Sequence, residues 1–422
     1  MWTRASIAAA VVLLANWGAC AATWADSIFA REGLGEWTEG YDARGMARGS
    51  TGIGVADPNN FTSMNPASTA FAVGTLGHAG LMSSIRWSSD GVNDARRATT
   101  SLNELGLHLD LPAGLGVRLI VQPATNAEYS LEQTIPTDAG GEGEDILREE
   151  GSRGLTMFQG AASWRGGRNW AVGASVGLIS GTIVDEMSFR FSGAASDSGY
   201  VSGANRRELR FHARPFLGIG FLGRPTPRLS VGGFFSGASS PRVTETYRSL
   251  GEQEFVLRRT RVELPMGLGA GAACFVTSRW RMSADVVWRK WEDFTDERQR
   301  DEGALPASAN ASFRNTLRWG VGVERIADLR RDAGGVWNAI AWRAGFAWIP
   351  WYIVDAGGDS DKDGIDEWRV SAGAALPIQR DRGAIDLGIA YGRRGSLDGN
   401  GLKEDYLNAT LTFTFARVLR EY

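Results

Sequence analysis

Short segments in which apolar residues alternate with small or polar residues recur along most of this chain. Trp170–Leu178 reads Trp-Ala-Val-Gly-Ala-Ser-Val-Gly-Leu, and the same two-residue period returns at 317–323 and 385–391. A period of two is typical of a β-strand that buries one face. About fourteen such segments begin between Leu76 and Asp405, an even number of the kind seen in bacterial barrels. The pattern predicts an all-β fold with about fourteen antiparallel strands.

The connections between these segments distinguish a membrane barrel from a soluble sandwich, which shows the same period. Short connections lie at 112–114, 166–168, 223–228, 277–279 and 379–382. Long polar connections lie between them, at 124–153, 180–207, 237–259, 290–312, 349–366 and 393–404. Such a rhythm is typical of transmembrane barrels with tight periplasmic turns and long extracellular loops, and Trp and Tyr near the strand ends suit the membrane interfaces. We therefore predict a transmembrane antiparallel β-barrel in the outer membrane of a Gram-negative cell.

The N-terminus has the composition of an export signal. A basic start at Met1–Arg4 precedes the apolar run Ala5–Ala15, and small residues follow. Ala19-Cys20-Ala21 and Thr23-Trp24-Ala25 are both possible cleavage sites, and we favour a signal peptide over 1–25. Only Cys274 then remains, which excludes an intramolecular disulfide. The net charge of −3 implies no attraction to nucleic acid.

The stretch Gly40–Val73 differs from everything after it. Its glycines, such as Gly49 and Gly54, permit close backbone approach, and Asp57-Pro58-Asn59-Asn60 is a turn sequence. A flexible tether is the alternative, but a barrel leaves a lumen to fill. We predict an N-terminal hatch over 26–75 inside the lumen, the barrel over 76–415 and a periplasmic tail over 416–422.

Three motifs in this stretch carry a family resemblance. Ala43-Arg44-Gly45-Met46-Ala47, Gly52–Asp57 and Asn65-Pro66-Ala67 resemble the N-terminal hatch of the FadL-type outer-membrane transporters, the superfamily that also includes PorV-like proteins. The segments 365–373 and 384–391 resemble the late strands of that family, and 394–397 and 402–406 resemble its final loop. Met64 departs from the family, which often has an aromatic residue just before Asn-Pro-Ala.

The resemblance implies a fourteen-stranded barrel plugged by the hatch, with Asp57, Asn65, Pro66 and Ala67 as the hatch motif. It implies passive transport of long-chain fatty acids or similar hydrophobic molecules, captured at extracellular loops and released sideways into the membrane. The expected partners are outer-membrane lipid, lipopolysaccharide, the hydrophobic substrate and the barrel assembly machinery, with the protein as a monomer. The alternative is a PorV-like shuttle that binds secreted proteins.

Two residue sets bear on this route. Apolar residues in the long connections are candidates for a capture surface, although they also fit the extended tops of strands: Met187, Phe189, Phe191, Phe255 and Leu257. Pro215 and Pro265 interrupt strand patterns, and Pro within a sheet is expected at edges or bulges. We expect one of these prolines to border a lateral exit.

Other chemistry in the sequence is limited. Asp359, Asp361 and Asp363 with Gly364 match the first half of a calcium loop, although Val370 stands where the bidentate acid belongs. Calcium is thus a possible cofactor, the alternative being a solvated acidic loop, and no other cofactor is expected. No Gly-x-Ser-x-Gly motif accompanies the three histidines. We do not expect an enzyme.

Overall fold

Fourteen antiparallel strands form a closed barrel, as the alternation predicts. The computed structural model describes residues 27–31, 33–38, 40–136, 144–190, 202–249, 251–294, 312–328, 336–354, 364–378, 383–398 and 401–417. The strands, numbered in chain order, are β1 Thr75–Ser89, β2 Asp94–Leu111, β3 Leu115–Pro123 with Tyr129–Pro136, β4 Glu144–Arg165, β5 Trp170–Arg190, β6 Ser202–Gly223, β7 Leu229–Ser236 with Arg242–Ser249, β8 Phe255–Arg261 with Gly267–Phe275, β9 Trp280–Arg289, β10 Ser312–Phe313 with Thr316–Arg325, β11 Ala341–Val354, β12 Gly364–Ile378, β13 Gly383–Ser396 and β14 Leu402–Arg417.

Each strand pairs with its neighbours in sequence, and β1 pairs with β14 to close the barrel. In the closing ladder Leu81 lies opposite Leu411. Closure leaves no free sheet edge, which is the condition for a sheet to cross a membrane. The chain enters the barrel at Thr75 and leaves it at Arg417, so both ends lie at the rim that carries the short turns. This rim is the periplasmic end.

The outer face of the barrel is apolar. Leu119, Leu217 and Ile219 are each more than half exposed although they are large aliphatic residues. A row of aromatic rings crosses five neighbouring strands, β9 to β13, at one level: Trp288, Trp319, Trp348, Trp368 and Tyr391. This is the arrangement of an aromatic girdle at a membrane interface. The exterior therefore presents a belt suited to lipid.

The prediction of long extracellular loops is wrong for several of the long connections, because the strands continue through much of them. β5 runs to Arg190 and β6 begins at Ser202, so this hairpin extends far above the girdle. Charged side chains hold such extensions together, as where Arg206 of β6 meets Glu186 of β5 at 2.8 Å. Polar residues on both faces conceal the two-residue period, since neither face meets lipid there.

Residues 27–31, 33–38 and 40–74, which precede β1, lie inside the barrel, and we call them the inner segment. It contains the 3-10 helix Ile28–Arg31, the helix α1 Ala43–Ala47 and the 3-10 helix Pro66–Phe71, and its two-residue strand Glu36–Trp37 pairs with Thr125–Asn126 within β3. Further 3-10 turns lie outside it, at Pro112–Gly114, Trp291–Asp293 and Val336–Asn338. No helix in the described ranges is long and apolar enough to cross a membrane.

The inner segment touches the wall through backbone. A Cβ atom added at Gly49, which has a φ of +67°, would lie 2.5 Å from the Phe346 carbonyl oxygen. A Cβ added at Gly271 of β8 would lie 2.9 Å from the Gly54 nitrogen. Contacts this close require glycine on at least one side, since any side chain would occupy the contact. The small residues of Gly40–Val73 thus serve packing against the wall.

Candidate functional site

Aromatic side chains fill the lumen toward the extracellular end. The Trp291 ring stacks on the Tyr352 ring with centroids 4.0 Å apart, and Trp37 meets Trp291 edge-on at 5.3 Å. The Tyr352 hydroxyl donates to the Gly35 carbonyl at 2.8 Å and accepts from the Leu34 amide at 3.0 Å. Trp37, Trp291 and Tyr352, with Phe29 and Trp351, form what we call the aromatic cluster. It joins the start of the inner segment to β11 and to the turn after β9.

Buried apolar contacts continue from the aromatic cluster down to the wall formed by β5 to β8. Ile179, Phe216, Val262 and Leu264 belong to the same contiguous set as Trp351 and Tyr352, together with Ile183, Leu209, Phe211 and Val243. Each of these side chains is less than a tenth exposed. An apolar path of side chains thus crosses the interior from the extracellular side to one sector of the wall.

The wall is interrupted where this path reaches it. β7 has no regular ladder at 237–241 and β8 none at 262–266. The two strands are joined there by an isolated bridge, in which the Leu264 amide donates to the Ser239 carbonyl at 2.7 Å and the Ser239 amide to the Leu264 carbonyl at 3.4 Å. The Val262 amide also donates to the Pro241 carbonyl at 3.2 Å. We call this place the wall break.

Both predicted prolines lie at the wall break. Pro265 stands between the two halves of β8, one residue after the bridge. Pro215 of β6 lies opposite Leu178 of β5, beside a register shift at Ile179–Gly181. Between β6 and β7 at this level we find the Gly237 amide donating to the Leu217 carbonyl at 2.8 Å, and Ser239 Oγ donating to the Arg214 carbonyl at 3.1 Å. The two prolines therefore flank one interruption from opposite sides.

Two small cavities lie along the apolar path. One of about 70 Å³ adjoins the wall break and is lined by Met64, Phe216, Phe234, Leu264 and Pro265 among others. The other, of about 140 Å³, lies beside the aromatic cluster, where Trp37, Trp291, Trp351 and Tyr352 line it.

The larger of these two cavities is positively charged. Five arginines line it against two carboxylates, Glu36 and Glu367: Arg86, Arg289, Arg318, Arg369 and Arg394. Arg394 is held by both carboxylates at 2.6 Å and lies 4.2 Å from the centre of the Trp351 ring. Burial alone would raise the pKa of Glu36, but Arg394 and Arg86 outweigh it and lower this pKa to about 2. Glu36 therefore stays ionised, and the arginines outnumber the carboxylates of this lining.

The predicted hatch motif fastens the inner segment to the wall. Asn65 is fully buried, and its Nδ2 donates to the Ile53 carbonyl and to the Phe221 carbonyl of β6, each at 2.9 Å. Its Oδ1 accepts from the Ala67 amide at 3.0 Å and so caps the 3-10 helix that Pro66 begins. Pro66 and Ala67 lie against Gly173 and Gly220 of the wall. The motif is therefore an anchor in this structure.

Asp57 belongs to a buried ion network near the periplasmic end. Arg44 bridges Asp57 at 3.0 Å and Asp386 of β13 at 3.2 Å. Arg343 of β11 meets Asp386 at 2.6 Å and Glu324 of β10 at 2.7 Å. Arg48 and Arg281 also pair with Glu324. The network thus joins the inner segment to four strands.

The structure does not bring the other predicted site residues together in one site. Met187 and Phe189 lie on the upper part of β5, while Phe255 and Leu257 lie on that of β8, so the structure does not bring the two groups together. Phe255 packs edge-on against Tyr247, outside the apolar path. Phe191, Asp359, Asp361 and Asp363 lie outside the described residues. Within the described ranges there is no group of three or more metal-ligating side chains.

Sequence reasoning missed the aromatic cluster and Arg118. Trp351 and Tyr352 fall in 349–354, where every residue is apolar. An unbroken apolar run indicates a strand end that is buried on both faces, as 351–354 is in the structure, so the sequence did contain a signal for this cluster. Arg118 of β3 donates to the Ser63 carbonyl at 2.8 Å, to the Thr62 carbonyl and to Gln159 at 3.0 Å. Nothing local in the sequence marks an arginine as the partner of a loop some fifty residues away.

Comparison with solved structures identifies the fold. A FadL homologue of Pseudomonas aeruginosa aligns with a TM-score of 0.58 and 15% identity over 90% of this chain and 99% of that one. The fold is that of the FadL-type channels. The toluene transporters TodX of Pseudomonas putida (TM-score 0.56, 15% identity, 90% and 100% covered) and TbuX of Ralstonia pickettii (0.55, 14%, 90% and 98%) align in the same way.

Comparisons of the sequence with protein families and curated proteins give one match. The family model described as BamG matches residues 237–417, and no curated protein matches the chain. The predicted resemblance to FadL-type transporters is confirmed for the fold. With the apolar belt and the closed barrel, this makes the chain an outer-membrane β-barrel.

Proposed function

We propose that this protein is a passive transporter that admits hydrophobic molecules through the outer membrane, and that it is not an enzyme. The single observation that carries the proposal is the continuous apolar path from the aromatic cluster to the wall break. A molecule with a long apolar surface gains about 0.8 kcal/mol for each CH₂ group kept out of water. A buried path that ends in the wall lets it cross the polar lipopolysaccharide layer without returning to water.

We further propose that the route ends sideways, in the lipid around β7 and β8. The supporting geometry is the wall break, where an isolated bridge and one further backbone hydrogen bond replace a regular ladder between the two strands. Pro215 and Pro265 lack the amide hydrogen that a ladder needs, so they keep the interruption open. The inner segment crosses the lumen below this level, which favours a lateral over an axial exit. The FadL homologue, TodX and TbuX share the fold within which this route lies.

The preferred substrate carries an acid group. The excess of arginine beside the aromatic cluster offers an anionic head a partner next to an apolar surface. This arrangement favours long-chain fatty acids over plain hydrocarbons. Uptake of labelled oleate should therefore exceed uptake of oleyl alcohol, and equal uptake of the two would contradict the preference.

A disulfide across the wall break tests the exit. Ser239 and Leu264 exchange backbone hydrogen bonds, and such antiparallel pairs have Cα atoms about 5.5 Å apart, within the range for a disulfide. The variant is Ser239→Cys with Leu264→Cys, in a Cys274→Ser background that removes the free thiol. We expect oxidation to lower oleate uptake severalfold and reduction to restore it. Equal uptake in both states would exclude an exit between β7 and β8.

The two prolines give an independent test. Pro215→Ala and Pro265→Ala each restore a backbone donor, so the ladders can extend across the break and uptake should fall. Pro112→Ala is the matched control, because Pro112 lies in an exposed periplasmic turn far from the break. Unchanged uptake in both test variants would remove the prolines from the mechanism.

A second candidate function is protein binding, at the barrel assembly machinery or as a PorV-like shuttle. The observation that favours it is the match of residues 237–417 to the BamG family. Deletion of the gene distinguishes the two functions. A transporter deletion lowers oleate uptake and leaves other barrels at normal levels, whereas loss of an assembly factor lowers the levels of other outer-membrane barrels.

A further inference from the structure

One interior space in the described part of the barrel lies apart from the apolar path. It is a cavity of about 430 Å³ at the periplasmic end, which we call the vestibule. Its volume falls within the range of about 300–1,000 Å³ that is usual for small-molecule sites. The inner segment separates it from the aromatic cluster, with Ala56, Asp57, Pro58 and Asn59 forming one of its walls. The proposed route leaves this space without a role.

The vestibule has an apolar floor. Small and aliphatic side chains from the strand ends and turns on opposite sides of the barrel provide it: Pro227, Leu229, Phe275, Ile326, Ala341, Ala375, Pro377 and Ala384. They line the cavity at a level where a water-filled mouth would be lined by polar residues. The floor can therefore hold the apolar body of a ligand.

The vestibule is also cationic. Five arginines and two carboxylates line it, so its formal charge is five minus two, or +3. The inner three arginines belong to the buried ion network and have carboxylate partners. Arg224 and Arg228, on the turn between β6 and β7, differ from them. Neither has a carboxylate within ion-pair distance among the residues that the structure describes.

We propose that the vestibule binds a small amphipathic anion from the periplasmic side. Its apolar body rests on the floor, and its anionic head is held at Arg224 and Arg228. Charge selects the head, since a cation would meet a net charge of +3, and a neutral acceptor would form weaker hydrogen bonds with the two guanidinium groups than an anion does. Because residues 56–59 form one wall, an occupant stabilises this part of the inner segment.

A photoreactive ten-carbon carboxylic acid bearing a diazirine is the probe. The full-length protein is studied in phosphatidylcholine nanodiscs, with the methyl ester of the same acid as the neutral counterpart. Labelled peptides mapped by mass spectrometry should contain residues 224–230 or 375–378. We expect the acid to label them about tenfold more than the ester, as for the loss of one charge-assisted hydrogen bond.

Charge variants test the two arginines. Arg224→Ala with Arg228→Ala should lower labelling by the acid about tenfold, while Arg224→Lys with Arg228→Lys should keep most of it. Arg168→Ala is the control, since Arg168 is exposed on another periplasmic turn and does not line the vestibule. Heat-modifiable migration in gels establishes that each variant forms a barrel. Equal labelling by acid and ester, or equal loss in the Arg168 control, would overturn the proposal.

The source of the anion is a separate arm of the experiment. A free amphipath and the headgroup of an inner-leaflet lipid present the same chemistry. If replacing a third of the lipid by phosphatidylglycerol strongly suppresses labelling, the occupant is a lipid headgroup; if labelling persists, it is a free amphipath. Labelling confined to the aromatic cluster would contradict the vestibule site and leave the proposed transport route standing.

Discussion

Removing the side chain of Asn65 should loosen the inner segment without unfolding the barrel. Asn65→Ala deletes two hydrogen bonds to carbonyl groups, one of them on β6, and the cap on the Ala67 amide. Two of these three hydrogen bonds are buried and the one to Phe221 is partly buried, and each lost bond costs about 0.5–1.5 kcal/mol net. The free energy that holds this part of the segment in place should fall by about 2–4 kcal/mol.

Amide hydrogen exchange measures this free energy locally. A loss of 2–4 kcal/mol corresponds to about 30- to 700-fold less protection, since about 1.4 kcal/mol is a factor of ten. We expect the loss over residues 52–70, and unchanged protection in β12 to β14. Asn65→Asp keeps the oxygen that caps Ala67 but loses both bonds from Nδ2, so it separates the cap from the wall contact.

Asn59→Ala is the matched control for this prediction. Asn59 lies in the same segment, but its side chain is exposed and its backbone bond to Asp57 survives the change. Protection in Asn65→Ala equal to that in Asn59→Ala would refute the reasoning. It would mean that the Asn-Pro-Ala motif does not anchor the segment.

Three further predictions concern the same contacts. Gly49→Ala should destabilise the protein in thermal unfolding by more than about 1 kcal/mol beyond the loss caused by Gly167→Ala. Both glycines have a positive φ, so the strain of the backbone conformation is common to the two variants. Only at Gly49 would the added Cβ meet backbone atoms of the wall. Glu324→Gln should lower the free energy of unfolding in urea by about 3–5 kcal/mol, because three buried arginines lose their shared carboxylate. Glu186→Gln is the control: it removes an exposed ion pair and should lower this free energy by under about 1 kcal/mol. Burial would raise the pKa of Asp57, but Arg44 and Arg281 outweigh it and hold this pKa below 3.8. Its ion pairs should therefore stabilise residues 52–58 above about pH 4 and weaken as the pH falls through the lowered pKa, and Asp57→Asn should abolish this dependence of amide exchange. A flat pH profile in the unmodified protein would contradict the assignment.

Much of the wall could be predicted from the sequence. Fourteen strands follow from local alternation, because a lipid-facing side chain must be apolar wherever it lies along the strand. The periplasmic turns follow for a similar reason, since a tight turn needs specific residues within a few positions. The strand extensions above the girdle were not predicted. Both of their faces carry polar residues, such as the cross-strand pair of Arg206 with Glu186, so the two-residue period is absent there.

The interior could be predicted only in outline. The resemblance to a known hatch predicted that Asn65-Pro66-Ala67 is important. It could not predict the partner of Asn65, because Phe221 lies 156 residues away in the sequence. Arg118 carries no local sign of its role, since arginines in a barrel wall are common. Pro215 and Pro265 were recognisable as interruptions, yet only the pairing of β6, β7 and β8 brings them to one place.

By itself, the sequence determined the class of fold, the number of strands and the position of the unusual inner stretch, because each depends on the order of neighbouring residues. The tertiary structure alone decided the aromatic cluster, the wall break and the vestibule. Each of these joins residues from strands that are distant in the chain, such as Phe29 with Trp351 or Ser239 with Leu264. Barrel closure fixes which positions face one another across the lumen, and that geometry has no counterpart in a local pattern.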